Sequence, residues 1–362
     1  MKQRIVFTGG GTGGHVFPAL AIAEGLQQKG YDLVWLGSRK GMEYDIVRRW
    51  GLRFVSIPAG KLRRYFSFRN LVDVFMVAAG FFASIFVLLR LRPAVLFSKG
   101  GYVSVPPVYA AALLRIPVIT HESDLDPGLA TRLNAKVARI VCLPYPESAK
   151  FFSAFPAGRL RISGNPVRAE IFRGDAERFY QKTGLSQDVP LVFVQGGSQG
   201  AAEINNLLYA ALPELVPHCC LVHQCGKDHQ EKARSLLADN PEYAHRYLPQ
   251  AFFIEDYPDI LAAATLSVTR GGAGSLWELA AVGVPALIVP LRAGSRGDQL
   301  RNADYFASRK MMVVHDPNSD FASQVLALIQ DESRLKKMQS ALAALDAQSA
   351  VERLVNECEE LI

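Results

Sequence analysis

The sequence predicts an α/β protein made of two Rossmann-like, parallel-sheet domains. Three observations carry this. Short apolar runs alternate with helical patterns, the first such unit is echoed half a chain later, and three glycine-rich loops each follow an apolar run and precede a helix. Strands that are apolar nearly throughout and separated by helices belong to parallel sheets covered on both faces. The chain has 362 residues, 49% hydrophobic and 20% charged. That is too apolar for disorder and too long for one ordinary core, so two domains are expected.

The elements follow in order. RIVFTG (4–9) reads as a strand, a helix covers Pro18–Lys29, and DLVWLGS (32–38) is the next strand. AVLFSKG (94–100), PVITHES (117–123) and ARIVCLP (138–144) continue the first series. The second series is PLVFVQG (190–196), LVHQCG (221–226), LSVTRGG (266–272), PALIVP (285–290) and MMVVHD (311–316). Aligning Gly10–Gly14 with Gly196–Gly200 superimposes the two openings as strand, glycine loop and helix, the start of a Rossmann-like unit. A boundary is expected near ISGNPVR (162–168). It divides the chain into residues 1–163, residues 164–340 and a terminal helical stretch, 341–362, able to pack back on the first domain.

The net charge of +6 conceals an asymmetry: residues 1–165 carry +13 and the remainder −7. The basic half is therefore expected to face an anionic surface. Val74–Leu89 is a run of 16 uncharged residues, short for a spanning helix. Lys61, Arg63, Arg64 and Arg69 precede it, and Arg90 and Arg92 follow. Such a segment suits a helix lying on an anionic leaflet, the reading the flanking cations favour over a buried helix beside a basic loop. No aromatic residues alternate with basic ones in a nucleic-acid-binding motif, so no nucleic-acid partner is expected. Five cysteines without a CxxC pair argue against a disulfide framework and a zinc site. The N-terminus enters a strand directly, leaving no room for a signal peptide, and a reducing cytoplasmic compartment is expected.

The first loop, Gly9–His15, contains GxGxxG, a weak signal alone. Glycines after a strand let backbone amides and a helix dipole approach a phosphate. A dinucleotide oxidoreductase would place an acid after the second strand, where Gly37-Ser38-Arg39-Lys40 stands. Arg39 keeps an NADP enzyme open as an alternative. The second loop is Gly196–Gly200, with Asn205 in the following helix; the third is Arg270–Ser275, followed by Glu278, whose carboxylate could accept both ribose hydroxyls. Each loop alone could be a plain strand-to-helix turn. His15 could take a proton from an attacking hydroxyl, or fix the loop, or bind diphosphate when protonated. The seven histidines show no metal-ligand spacing, and Asp124-Leu125-Asp126 is a chance DxD, so neither metal nor cofactor is required.

Taken together, GGGTGGHVFPALA (9–21), SKGGYVSVPP (98–107), HESDLDPGLATRLNA (121–135), GNPVR (164–168), GGSQGA (196–201), FFIED (252–256), TRGGAGSLWELAAVGVPALIVP (269–290) and GDQLRNA (297–303) resemble the MurG family. That family, of the glycosyltransferase family 28 type, converts lipid I to lipid II in peptidoglycan synthesis. The resemblance implies the GT-B fold, two Rossmann-like domains around a cleft. It implies inverting transfer from UDP-N-acetylglucosamine to the C4 hydroxyl of undecaprenyl-diphospho-N-acetylmuramoyl-pentapeptide, a reaction for which His15 is the candidate catalytic base. Arg168 and Ser198 would contact the donor diphosphate region, and Ile254 would bond uracil through its backbone. Glu278 would hold ribose within the stretch Ala273, Gly274, Ser275, Leu276, Trp277 and Glu278. Gln299 with Asp298 would read sugar hydroxyls. Thr12, Gly13 and Gly14 would line the cleft, with Asn205 near it. Asp124 stands where some members have asparagine, and as an ionised acid it accepts hydrogen bonds without donating. The resemblance also implies a peripheral location on the cytoplasmic side of the bacterial inner membrane, with partners among cell-wall synthesis proteins. A diacylglycerol glycosyltransferase of the same fold is the nearest alternative.

Overall fold

A computed structural model describes residues 2–60, 68–197, 200–292 and 297–362. The chain divides into two compact units, Met1–Arg168 with Gln348–Ile362, and Ala169–Ala347.

In the first unit, β1 (Arg4–Thr8), α1 (Gly13–Gln28), β2 (Asp32–Gly37), α2 (Glu43–Arg49) and β3 (Arg53–Ser56) are followed by the long α3 (Phe68–Leu91). Then come β4 (Val95–Ser98), α4 (Val105–Leu113), β5 (Val118–His121), α5 (Leu129–Val137), β6 (Ile140–Leu143) and β7 (Leu160–Ile162). All seven strands are parallel, in the order β3-β2-β1-β4-β5-β6-β7. Strands β4, β5 and β6 bury every residue, and β1 and β2 all but their first, as their apolar runs require.

The second unit runs α6 (Ala176–Thr183), β8 (Leu191–Gln195), α7 (Ala202–Leu215), β9 (Cys220–Gln224), α8 (Gln230–Asp239), β10 (Tyr247–Gln250) and α9 (Tyr257–Ala263). It continues through β11 (Leu266–Thr269), α10 (Ala273–Ala281), β12 (Ala286–Ile288), α11 (Asp298–Ser308), β13 (Val313–Val314), α12 (Phe321–Gln330) and α13 (Glu332–Ala343). Its six parallel strands are ordered β10-β9-β8-β11-β12-β13. The strand order of each sheet therefore reverses once, between β1 and β4 in one and between β8 and β11 in the other. In open parallel sheets that switch point is where ligands bind.

Three strands fall outside the apolar runs of the sequence: β3, β7 and β10. All are sheet edges, and none is buried along its whole length, so none carries a continuous apolar signature. Helix α1 starts at Gly13, ahead of the expected Pro18, which places His15 in its first turn. The units change over at Arg168 and Ala347, beyond the expected 163 and 340. The GNPVR segment stays with the first unit because Ser163 N–H donates to Leu143 O and the Gly164 carbonyl bonds His121 Nε2. Helix α13 belongs to the second unit, while α14 (Ala350–Glu359) packs on the first. Leu354, Val355 and Cys358 join the core beside α1, and Arg353 Nε donates to Ser163 O at 3.0 Å.

Helix α3 shows two different faces. Gly80, Ser84, Leu88 and Leu91 form a buried stripe, at helical spacing, toward the α4 side. A Cβ on Gly80 would strike the Pro58 carbonyl, so the contact there is backbone to backbone. The other side exposes Val72, Val74, Phe75, Phe82, Phe86 and Leu89, with Phe86 76% exposed. Val72–Leu91 has a mean hydropathy of 2.4 and, by length and composition, suffices to cross a membrane. It is longer than the 16-residue uncharged run because the helix takes in both flanks. Arg90 and Arg92 are exposed at its end; Lys61, Arg63, Arg64 and the Arg69 side chain lie outside the described residues.

Candidate functional site

The carboxyl ends of the strands nearest each switch point carry the residues that the sequence singled out. In the first unit, the loop after β1 is propped from beneath by Glu43. Its fully buried carboxylate accepts from Gly11 N–H and Ser38 N–H, both at 3.1 Å. One glycine amide is thus engaged internally. Thr12 and Gly14 are exposed, Gly13 is half-buried, and no side chain caps the helix they open. The uncapped amides suit an anion.

His15 is half-buried, but its Nδ1 is buried and without a hydrogen-bond partner. Burial first, and then the charge of Lys99, push its pKa down to about 4. The imidazole is therefore neutral across the physiological range in the ligand-free chain. That favours a proton acceptor over an imidazolium that binds diphosphate. Across the switch point, Gly101 has φ +78°, and a Cβ there would strike the Gly10 carbonyl and crowd the His15 ring. Only glycine lets the loops after β1 and β4 approach this closely.

Beside them, Glu122 folds a turn around its own carboxylate. It accepts from Ser123 N–H (2.7 Å), Asp124 N–H (3.2 Å) and Gly128 N–H (2.9 Å). The turn holds Asp124 half-buried at the strand ends. Lys99, 1% exposed, donates from Nζ to Ser123 Oγ, and Ser123 Oγ lies 3.3 Å from Asn165 Oδ1. Arg168 closes the unit, its guanidinium 5.3 Å from the Phe17 ring centroid.

In the second unit, Gly196–Gly200 follows β8; Ser198 and Gln199 lie outside the described residues. Asn205 is fully buried. Its Nδ2 donates to Cys225 O (2.9 Å), and its Oδ1 is 3.0 Å from His223 Nε2. Because an amide oxygen only accepts, His223 carries its hydrogen on Nε2 and accepts from Tyr247 hydroxyl at Nδ1, 3.0 Å away. Asn205 is thus occupied inside the protein, fixing the second glycine loop from behind. Gln224 accepts from Phe253 N–H at 3.2 Å, anchoring the segment in which Ile254 stands 83% exposed.

Helix α10 opens at Ala273 without a side-chain cap. Leu276 and Trp277 are buried, and the Leu276 N–H donates to Gly272 O at 3.1 Å, so neither side chain faces a ligand and the Leu276 amide is already taken. Glu278 is half-buried and accepts from Tyr257 hydroxyl at 3.0 Å, which aims its carboxylate. A Cβ on Gly271 would strike the Gln299 carbonyl, and Asn302 Nδ2 donates to Gly271 O at 3.1 Å. The third loop and the start of α11 are thereby locked together, which brings the Gln299 backbone against Gly271, two residues before α10. Gln299 Oε1 accepts from Leu291 N–H (3.0 Å), and Asp298 pairs with Arg301 at 3.0 Å.

Sequence reasoning missed Glu43, Lys99, Gln224, Tyr257 and Asn302. The one signal available was at Lys99, a charge closing an apolar strand run. A hollow lined by Arg139, Arg159, Arg161 and Glu360 lies at the opposite ends of β6 and β7, away from these loops.

Comparison with known proteins agrees with this arrangement. Residues 5–142 match the glycosyltransferase family 28 N-terminal domain, and residues 191–354 match the C-terminal domain of that family. A Treponema denticola protein named UDP-N-acetylglucosamine–N-acetylmuramyl-(pentapeptide) pyrophosphoryl-undecaprenol N-acetylglucosamine transferase is 43% identical, covering 94% of this chain and 93% of its own length. A Legionella pneumophila (strain Paris) protein of the same name is 35% identical over 98% of this chain and 96% of its own. The crystal structure of Acinetobacter baumannii MurG superimposes with a TM-score of 0.75 at 26% identity, covering 99% of both chains. Two sheets with matching switch points, each furnished with uncapped glycine loops, are thus the framework of a known enzyme group, and the chain belongs to the MurG family of N-acetylglucosamine transferases.

Proposed function

We infer that the chain transfers N-acetylglucosamine from UDP-N-acetylglucosamine to the C4 hydroxyl of lipid I, giving lipid II. The observation that carries this is full-length identity of 43% to a transferase named for that reaction. The acceptor oxygen forms a bond to donor C1 as the bond from C1 to the diphosphate oxygen breaks. Configuration at C1 inverts, and UDP leaves with the electron pair. Stabilising the charge on the departing diphosphate is the main catalytic demand, and preorganised amides meet it well. The uncapped start of α10, with Ser198 and Arg168, is assigned to that group. Glu278, aimed by Tyr257, takes the ribose hydroxyls; the Ile254 backbone takes uracil; Gln299 with Asp298 takes sugar hydroxyls.

His15 is assigned as the base. Its neutral ring accepts the proton of the attacking hydroxyl, and the low pKa makes it a weak base whose help comes mainly from position. Thr12, Gly13, Gly14 and Asp124 form the rest of the first unit's contribution. The exposed face of α3 is assigned to the cytoplasmic leaflet of the inner membrane. Its buried stripe stays on the protein, so the helix lies in the interface and does not cross it.

The test is UDP release from UDP-N-acetylglucosamine with lipid I, with diacylglycerol, and with no acceptor. Release with lipid I alone is expected. Release only with diacylglycerol, or none with either acceptor, overturns the assignment.

A further inference from the structure

Lys99 is a cation placed where burial alone disfavours charge. Nothing in the transfer chemistry so far uses it. Its side chain is 1% exposed at the end of β4, against Gly9 on one side and Ser123 on the other. Two carboxylates, Glu122 and Asp124, stand two residues apart in the adjacent turn and act electrostatically on it. Glu122 is saturated by three backbone N–H groups, so it cannot turn away from Asp124. A turn holding two acids needs counter-charge, and Lys99 is a buried cation on which both act electrostatically. Through Ser123 Oγ it also reaches Asn165, in the segment that ends at Arg168. One ammonium thus joins the loops after β4 and β5 to the end of the unit, beside His15.

We propose that Lys99 is a positioning residue of the transfer reaction: its ammonium balances Glu122 and Asp124 and, through Ser123 and Asn165, holds Asp124 in place for a sugar hydroxyl. This rests on the reading of Asp124 as a substrate contact. Burial pushes the Lys99 pKa down to about 8. Its neighbours do not titrate near that value. His15 is held at about 4, His121 well below its usual value, and the buried Cys142 thiol well above.

The experiment measures UDP release with lipid I, at pH 6 to 9.5, for the wild type, Lys99→Met, Asp124→Asn and the double variant, with melting temperatures of all four. Lys99→Met is expected to lose at least 10-fold in kcat/KM by removing the buried positive charge that acts on both acids. Asp124→Asn in that background removes one acid and is expected to recover at least 3-fold. The wild type is expected to lose activity as the pH rises through about 8, and the double variant to lose that limb. Wild-type kcat/KM in Lys99→Met overturns the proposal. So does a double variant whose loss equals the product of the single losses, or one that regains melting temperature without regaining turnover. A wild-type chain that releases no UDP refutes the transfer reading itself, which separates the two failures.

Discussion

Replacing Glu43 with glutamine tests whether the first glycine loop is built on an internal anion. The carboxylate accepts from Gly11 N–H and Ser38 N–H at 3.1 Å each, with no exposure to solvent. An amide of the same shape keeps one acceptor and turns an NH₂ toward the other N–H. The loss is one hydrogen bond to a charged acceptor, about 1.5–3 kcal/mol, plus a stranded buried donor, about 1–3 kcal/mol. A total near 2.5–6 kcal/mol corresponds to roughly 5–24 °C in Tm for a unit of this size. Calorimetry on the ligand-free chain reads the stability, and steady-state UDP release reads the loop. Both should fall, with kcat more affected than donor binding, because donor recognition, Arg168 apart, is assigned to the second unit. A Tm within about 2 °C of wild type and an unchanged kcat would refute the reasoning.

His15→Ala should lower kcat by ~10²–10⁴-fold while sparing UDP affinity; with the ring held at about 4, the wild-type rate should show no acid limb near pH 6.5, and such a limb would count against a neutral base. Tyr257→Phe removes the hydrogen bond that aims Glu278 and should raise the donor KM about 10-fold at the upper bound of ~1.5 kcal/mol; an unaltered KM, measured alongside Glu278→Ala, would detach both from ribose. Phe82→Ser with Phe86→Ser removes two exposed rings; at about 1–2 kcal/mol each, partition onto vesicles of anionic phospholipid should fall at least 10-fold, and undiminished binding would sink the membrane face. His223, buried and depressed to about 3, stays neutral in the fold while the unfolded chain binds a proton below pH 6.5. Its stability contribution is present above pH 6.5 and is lost as pH falls toward 3, about 2 kcal/mol by pH 5. A flat unfolding free energy from pH 7 to 5, by chemical denaturation, would contradict this.

Much was settled by the amino-acid order alone. Central strands are apolar on both faces, so β1, β4, β5, β6, β8, β9, β11 and β12 were legible, and the glycine loops marked both switch points. The edge strands were not, because a half-exposed strand such as β3 or β7 has no unbroken apolar run to read. Glu278 and Gln299 were recognisable from their motifs, but the join between their two segments depends on Asn302 holding the Gly271 carbonyl from another helix. Asn205 was expected near the cleft, and only packing showed its amide bonded to Cys225 and His223. Glu43 and Lys99 were invisible as functional groups, since a charge in a linear string carries no sign of what surrounds it. Periodicity and glycine act through near neighbours, so they can be read along the chain. Burial, counter-charge and hydrogen-bond saturation come from residues dozens of positions apart, and folding alone brings those together.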